Sequence, residues 1–249
     1  MESPQIKVVS IVIPAWNEEK TLEKVIHTIQ DLNFGSLPKE IICIDDGSTD
    51  KTPQILTKIS RRGSIKVITN KNNLGKSQSV KKGVLRSKGD IVLIQDADLE
   101  TDPDDLIPMV KLITNGQCDV VFGNRYDKKV KNKVSILNYI GNKIITNFSN
   151  LFTFPRGLVV PDMEVCYKVM RGDIFRDIAK KLQSRTTIGI EPEITARIAR
   201  YRIEKRKLRI KIYPIKYSPR TLKEGKKARY IVDGLKAIWE IIKFNTFVE

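Results

Sequence analysis

Asp90-Ile-Val-Leu-Ile-Gln-Asp-Ala-Asp-Leu-Glu100 is an apolar strand pattern that ends in carboxylates at every second position. In extended backbone, side chains at i, i+2 and i+4 share one face, so Asp96, Asp98 and Glu100 are expected to project together from the strand's carboxyl end. Three anions so placed repel unless a cation lies between them. All-oxygen ligands select a hard divalent ion, Mg2+ or Mn2+, with positions left open for water or phosphate. The competing reading is a solvated acidic turn. It suits Asp102, Asp104 and Asp105, because Asp102-Pro103 is a helix start with Asp at the N-cap and Pro at the first position. It suits Asp96 and Asp98 poorly, because they continue a buried type of strand.

The elements that must carry these residues follow a repeating pattern. Val8 to Pro14, Glu40 to Asp45, Ile65 to Thr69, Asp90 to Gln95 and Asp119 to Phe122 read as strands, mostly apolar throughout, as strands covered on both faces should be. Between them, Leu22, Val25, Ile26, Ile29 and Leu32 fall at helical spacing, as do Ile55, Leu56 and Ile59. Val80, Val84 and Leu85 serve a third helix, and Leu106, Met109, Val110 and Ile113 a fourth, in which Pro108 predicts a kink. Repeated βα units of this length give an α/β fold with a doubly wound, mostly parallel sheet. Ligands of such sheets bind beyond the carboxyl ends of the strands, and polar loops stand at each: Pro14-Ala15-Trp16-Asn17-Glu18-Glu19, Asp45-Asp46-Gly47-Ser48-Thr49-Asp50, Asn72-Asn73-Leu74-Gly75-Lys76, the acidic triplet, and Arg125. Ser48 and Asp50 read as turn and capping residues. For Asp45 and Asp46, turn chemistry and hydrogen bonding to a base or ribose both remain open.

Several function classes fall away. Neither Gly-x-Gly-x-x-Gly nor a P-loop sequence occurs, which argues against a dehydrogenase or a P-loop phosphotransferase. The one histidine, His27, lies far from every motif, which argues against a Ser-His-Asp hydrolase or a histidine-ligated metal. Cys43, Cys118 and Cys166 lack metal spacing and read as core residues of a reduced, cytosolic protein. With no apolar run of eighteen residues and no leader-like start, neither a transmembrane helix nor a secretory signal is expected. The formal net charge is +16, and its distribution matters more than its size. Residues 1–125 hold 17 basic and 17 acidic side chains, residues 126–249 hold 28 and 12, and residues 200–229 alone hold 13 against Glu204 and Glu224. That excess suits a polyanion such as a membrane surface, phosphate groups or nucleic acid.

Ser10-Ile-Val-Ile-Pro-Ala-Trp-Asn-Glu18, Ile44-Asp-Asp-Gly-Ser-Thr-Asp50, Asn73-Leu-Gly-Lys76 and Gln95-Asp-Ala-Asp-Leu-Glu100, in that order over the first half, resemble family 2 glycosyltransferases of the GT-A fold. Looser motifs continue the likeness toward the dolichyl-phosphate mannose synthase and polyprenyl-phosphate glycosyltransferase branch: Phe122 to Tyr126, Pro161 to Lys168, Gly189 to Glu193 and Tyr217 to Lys227. The resemblance implies a single GT-A domain over 1–249, with a nucleotide-sugar and metal half (1–125), an acceptor half (126–227) and an amphipathic C-terminal helix (228–249). It implies that Pro14, Ala15, Trp16, Glu18, Asp45 or Asp46, Lys76 and Asp96 line the nucleotide pocket. Asp96, Asp98 and Glu100 would bind Mg2+ or Mn2+, with Asp98 at the chemistry. Arg125, Arg220 and Lys226 would hold an acceptor phosphate. The implied reaction moves a hexose, mannose or glucose, from a GDP- or UDP-linked donor to a polyprenyl or dolichyl phosphate with inversion. The implied setting is peripheral, on the cytosolic membrane face, with a membrane-anchoring partner subunit and no nucleic acid. Asp162-Met-Glu-Val-Cys166 stands where mannosyl-type members show a Ser-Gly pair, so the sugar is left open.

Chemistry agrees with such a division of labour. A nucleoside diphosphate leaving group gains negative charge as the anomeric bond breaks, and a cation stabilises it. A phosphomonoester acceptor, with a second pKa near ~6, is already ionised and needs cations more than a base. Asp162, Glu164, Glu191 and Glu193 stand in a strongly basic context and read by default as structural ion pairs; if the acceptor is instead a hydroxyl, one of them must act as general base. Two apolar stripes, Leu137-Ile140-Ile144-Ile145-Phe148-Leu151-Phe152 and Ile231-Leu235-Ile238-Ile242 with Val232, Trp239, Phe244 and Phe247, are open to core packing or to contact with lipid.

Overall fold

The computed structural model describes residues 6–132, 134–186, 188–220 and 230–248, with the side chains of 230–232 outside that description. The first half runs β1 (Val9–Ala15), α1 (Leu22–Asp31), β2 (Lys39–Asp45), α2 (Thr52–Ser60), β3 (Lys66–Thr69), α3 (Lys76–Arg86), β4 (Ile91–Ile94), α4 (Leu106–Thr114) and β5 (Val120–Asn124). Each strand and helix expected there is present within two residues or so at each strand end. The second half adds α5 (Ile136–Thr153), β6 (Lys168–Arg171), α6 (Gly172–Lys180), α7 (Ile190–Arg200), the short hairpin β7 (Arg202–Ile203) and β8 (Arg206–Lys207), β9 (Ile210–Pro214) and α8 (Tyr230–Ile242). A π-helical turn, Lys243–Phe247, follows α8.

Seven strands form one sheet in the order β3-β2-β1-β4-β6-β5-β9. Pairings β1–β2, β1–β4, β2–β3 and β5–β9 are parallel, whereas β6 is antiparallel to both β4 and β5. One strand of seven is therefore reversed, and the consequence is local. The amino end of β6 lies beside the carboxyl ends of its neighbours, so the segment before it, Asp162 to Tyr167, is delivered to the ligand edge of the sheet.

The core explains the apolar strands. Ile11, Ile13, Ile42, Ile44, Val92, Leu93, Val120 and Val121 are sealed from solvent, and the helices cover them with Leu22, Val25, Ile26 and Ile29 of α1 and Met109, Val110 and Ile113 of α4. Leu85 departs from expectation: Val80 and Val84 face inward while Leu85 is exposed. The kink expected at Pro108 loses its cause, because Pro108 is the third residue of α4, and amides of the first turn need no intrahelical partner. Cys43 and Cys118 are buried, Cys166 is partly so, and all three are free thiols.

α5 reverses the usual amphipathic arrangement. Its inward residues are Thr146, Ser149 and Thr153, while Leu137 and Leu151 are each 71% exposed and Ile136, Ile140 and Ile144 are also open to solvent. Ile145, Phe148 and Phe152 do pack against the core. On α8, Leu235 and Trp239 are exposed and Ile241 is buried; the side chains of Ile231 and Val232 lie outside the described residues. No described helix is long and apolar enough to cross a membrane.

Candidate active site

The loop after β1 is set by its own backbone. Asn17 adopts φ 53°, a left-handed conformation that Asn tolerates, and its Oδ1 accepts a hydrogen bond from Thr49 N at 2.8 Å. Ser48 Oγ accepts from Asn17 N at 3.0 Å, and Thr52 Oγ1 accepts from Glu18 N at 3.0 Å. The β1 and β2 loops are thus stitched together, which presents Trp16 and Glu18 on one side. Asp50, two residues before α2 begins, accepts from Thr52 N at 2.9 Å, in keeping with a turn role.

Asp46 anchors the next loop. Its Oδ1 accepts from Asn70 Nδ2 at 2.7 Å and Leu74 N at 3.0 Å, and its Oδ2 from Gly75 N at 2.8 Å. Gly75 has φ 87°, and a Cβ there would stand 2.9 Å from Arg185 O; glycine is needed where α3 begins. Lys76 then enters the site as the first residue of α3. Asp45 takes the turn alternative, its Oδ1 accepting from Ser48 N at 3.0 Å.

A pocket of about 580 Å3 opens at the carboxyl ends of β1, β2 and β4. Of the residues expected to line it, Pro14, Ala15, Trp16, Glu18, Asp46, Lys76 and Asp96 do so, and Asp98 joins them. Asp45 is not in the wall. Asn73, Gly75, Ser79, Ala97, Ile188 and Asp233 complete it. Asn73 and Gly75 belong to a motif evident in the sequence; Ile188 and Asp233 come from distant segments with no local signal.

The acidic triplet is gathered differently from the expectation. β4 stops at Ile94, so strand alternation does not align Asp96, Asp98 and Glu100. The chain turns there, and Leu99 is held at φ 60°, an unusual conformation for a bulky residue. Asp98 Oδ1 accepts from Glu100 N at 3.1 Å. Lys76 Nζ stands 2.9 Å from both Asp96 Oδ1 and Glu191 Oε1. Arg220 meets three carboxylates: Nη1 donates to Glu18 Oε2 at 3.0 Å, Nη2 is 3.5 Å from Asp98 Oδ2, and Nε is 3.6 Å from Glu100 Oε1. Among the described residues, no three His, Cys, Asp or Glu side chains close on one point as metal ligands would. Instead, Asp96 is paired with Lys76, and Asp98 and Glu100 lie beside Arg220.

Electrostatics nevertheless favours a cation here. Burial, with Asp96 and Glu100 adding repulsion, pushes the Asp98 carboxyl up to about 7. Burial alone would lower the Lys76 ammonium, but Asp96 and Glu191 hold it well above its usual range. The donors are all oxygens and already converge on a guanidinium, so their chemistry suits a hard divalent ion.

Behind this wall lies a small cavity of about 60 Å3, lined by Lys76, Asp96, Asp98, Glu100, Thr101, Arg125, Glu164, Cys166, Glu191 and Tyr217. Arg125 is in an ion pair, not free as a phosphate clamp. Its Nε and Nη2 each donate to Asp162 at 2.8 Å, and the guanidinium lies 5.0 Å from the Tyr217 ring centroid and 5.5 Å from that of Tyr126. Lys226 lies outside the described residues. Glu193, fully buried, accepts from Gln183 N, Ser184 N and Arg197 and is structural. Burial, with Glu191 nearby, pushes the Glu164 carboxyl up to about 7.

An open, mainly parallel sheet with an acidic pocket at its carboxyl edge places the protein among the open α/β folds that hold their ligands at that edge. Within them the chain belongs to glycosyl transferase family 2, whose sequence profile matches residues 10–179. A dolichol-phosphate mannosyltransferase of Pyrococcus furiosus is 35% identical over 126 residues, covering 50% of this chain and 35% of its own length. An undecaprenyl-phosphate 4-deoxy-4-formamido-L-arabinose transferase of Edwardsiella ictaluri is 32% identical over 127 residues, 50% of this chain and 39% of that one. The chain therefore spans well under half of these two relatives. An uncharacterized protein of Methanocaldococcus jannaschii is matched more fully, 27% identical over 67% of this chain and 73% of its own. Among solved structures, glucosyl-3-phosphoglycerate synthase of Mycobacterium tuberculosis, in complex with Mn2+, UDP and glucosyl-3-phosphoglycerate, superposes with TM-score 0.68 at 19% identity. That match covers 98% of this chain and 81% of the synthase and establishes the shared fold.

Proposed function

We propose that this chain transfers a hexose from a nucleoside diphosphate sugar to a polyprenyl phosphate, with inversion, using a divalent cation. The observation that carries this reading is the 580 Å3 pocket, walled at one end by Asp96 and Asp98 beside Lys76. Its size suits a nucleotide. Trp16 offers a stacking face, and Lys76 and Arg220 bring positive charge to the end where a diphosphate would lie. Asp98, with Asp96 or Glu100, would hold Mg2+ or Mn2+, which as a Lewis acid offsets the charge that develops on the departing diphosphate. Arg220 would turn from the carboxylates to the acceptor phosphate, which it can grip through two N–H groups. An ionised phosphate oxygen then attacks the anomeric carbon from the face opposite the leaving group. The names of the relatives support this acceptor, and the Mn2+ and UDP in the structural neighbour support the cofactor and a nucleotide donor.

A hydroxyl acceptor is the second reading, favoured by Glu164, a carboxyl near neutrality in the small cavity. A nucleic-acid role for the 200–229 region loses ground: Arg206 and Arg209 are paired with Asp119, and Arg200 donates to Phe244 O and Val248 O.

The test is thermal-shift titration of UDP-glucose and GDP-mannose with Mn2+ or Mg2+, followed by transfer assays with a short polyprenyl phosphate and with phosphoglyceric acid. Stabilisation by one donor and transfer to the lipid phosphate, both lost in a folded Asp98→Ala variant, are expected. Transfer to phosphoglyceric acid alone would select the hydroxyl reading. No donor-dependent stabilisation would remove the enzyme assignment.

A further inference from the structure

Glu164 is aimed by a scaffold built on both sides of it, yet its own carboxylate is left incompletely used. Asp162 is locked to the Arg125 guanidinium and amide, the latter at 3.2 Å. Met163 N donates to Thr146 Oγ1 at 3.1 Å. Lys168, itself 1% exposed, donates to Met163 O at 3.0 Å and Val165 O at 2.5 Å, so its ammonium ties together the two residues flanking Glu164. A buried lysine is costly unless its donors are matched. Here it serves to hold one turn. Against that fixed backdrop, Glu164 Oε1 is a buried atom that accepts no hydrogen bond, and a buried carboxylate oxygen left so calls for a donor.

The place it faces has a defined position relative to the donor. The 580 Å3 pocket and the 60 Å3 cavity share Lys76, Asp96 and Asp98 as a common wall. A nucleotide in the larger pocket meets that wall with its diphosphate end, and the group beyond a diphosphate is the sugar. The 60 Å3 cavity exceeds the roughly 10–15 Å3 that one water needs, so it has room for a hydroxyl-bearing edge of a hexose. Glu164 and Glu191 offer acceptors and negative charge.

We infer that Glu164 is a specificity-determining residue that accepts a hydrogen bond from a hydroxyl of the transferred sugar, so that the enzyme takes neutral hexoses and rejects uronic acid donors. This inference rests on the nucleotide-sugar reading above. A donor hydroxyl satisfies the orphaned oxygen. A sugar carboxylate would bring like charge against Glu164 and Glu191, and a site with a buried polar group left unpaired discriminates strongly.

Calorimetric titration of the full chain with Mn2+ tests it, using UDP, GDP, UDP-glucose, GDP-mannose and UDP-glucuronic acid. The wild type should bind UDP-glucose or GDP-mannose more tightly than the bare nucleotide and should show no such gain for the uronic sugar. In Glu164→Ala that gain should fall about tenfold while bare nucleotide affinity stays within about twofold. Glu164→Gln, which preserves shape, should admit UDP-glucuronic acid. Equal weakening of UDP or GDP and of their sugars would reduce Glu164 to a structural residue. A loss of turnover in Glu164→Gln with every affinity unchanged would make it a general base; either result overturns the inference. If the wild type binds bare nucleotides and no sugar adds affinity, Glu164 reads no sugar. If it binds none of the five, the nucleotide-sugar reading itself fails.

Discussion

At the scale of single residues, Arg220 does in this structure what a bound cation would do. Its guanidinium lies within 3.0–3.6 Å of Glu18, Asp98 and Glu100, and these carboxylates raise its pKa further in spite of burial. Truncating one member of such a group leaves like charges facing each other in a partly dry site. Arg220→Ala is therefore expected to lower the melting temperature of the ligand-free protein. Mn2+ should restore it, giving a larger Mn2+-dependent shift than in the wild type. Equal shifts in the two proteins would mean that Arg220 and the ion do not share those carboxylates. In turnover, the same variant is expected to lose acceptor use more than donor affinity, measured as KM for a short polyprenyl phosphate against Kd for the donor. Equal loss of both would count against a phosphate-holding role.

At the scale of elements, one carboxylate gathers several pieces of the second half around the start of β5. Asp119, fully buried just before β5, accepts from Arg206 Nη1 and Arg209 N at 2.8 Å each and lies 3.7 Å from Arg171 Nη1. It thereby joins β5, the end of β6, the β7–β8 hairpin and β9. Burial would raise its pKa, but the hydrogen bonds from Arg206 and Arg209 bring it down from 3.8 to about 2. Because the folded value is the lower one, the stabilisation is complete above the unfolded pKa and is lost as pH falls from about 4 through about 2. The full shift corresponds to roughly 2.4 kcal/mol, which solvent around the half-exposed arginines cuts to about 1–2 kcal/mol. Asp119→Asn should show that loss in full by urea unfolding at pH 7 and about half of it at pH 3. A loss independent of pH would point to packing. The same elements mark the limit of what sequence reading could find. β1 to β5 and their helices were legible because buried parallel strands are continuous apolar runs. β6 was not, because Lys168-Val-Met-Arg171 places two apolar residues between two cations, and nothing local reveals that Lys168 is sealed inside. β9, Ile210-Lys-Ile-Tyr-Pro214, alternates as an edge strand does but lies in a run whose charge dominates the pattern. The pocket wall was legible where a strand ended in polar residues. The cluster of Asp162, Glu164 and Arg125 was not, because their pairing depends on the reversed course of β6.

At the scale of the whole molecule, the +16 charge and the outward apolar face of α5 belong together. A single exposed leucine needs no explanation, but contiguous exposed apolar side chains on one helix do. Ile136, Leu137, Ile140, Ile144 and Leu151 of α5 are exposed, with Leu235 and Trp239 on α8, which packs beside α5. Lys143 lies on α5 and Lys236 on α8. An apolar face bordered by lysines is suited to the interface of an anionic bilayer, where burial of side chains and attraction to headgroups add. Such docking would bring the active site to a lipid-borne phosphate. Cosedimentation with vesicles tests it: binding should be stronger to phosphatidylserine-containing vesicles than to phosphatidylcholine alone and should weaken with salt. Because fully burying a leucine contributes about 1.5–3 kcal/mol, Leu137→Ser combined with Leu151→Ser should lower vesicle affinity at least about tenfold. Both side chains are solvent-exposed, so the melting temperature should hardly move. Unchanged vesicle binding in that variant would assign the lipid contact to another surface. Vesicle binding lost together with dimerisation, by sedimentation equilibrium, would identify α5 as a contact between copies of the chain.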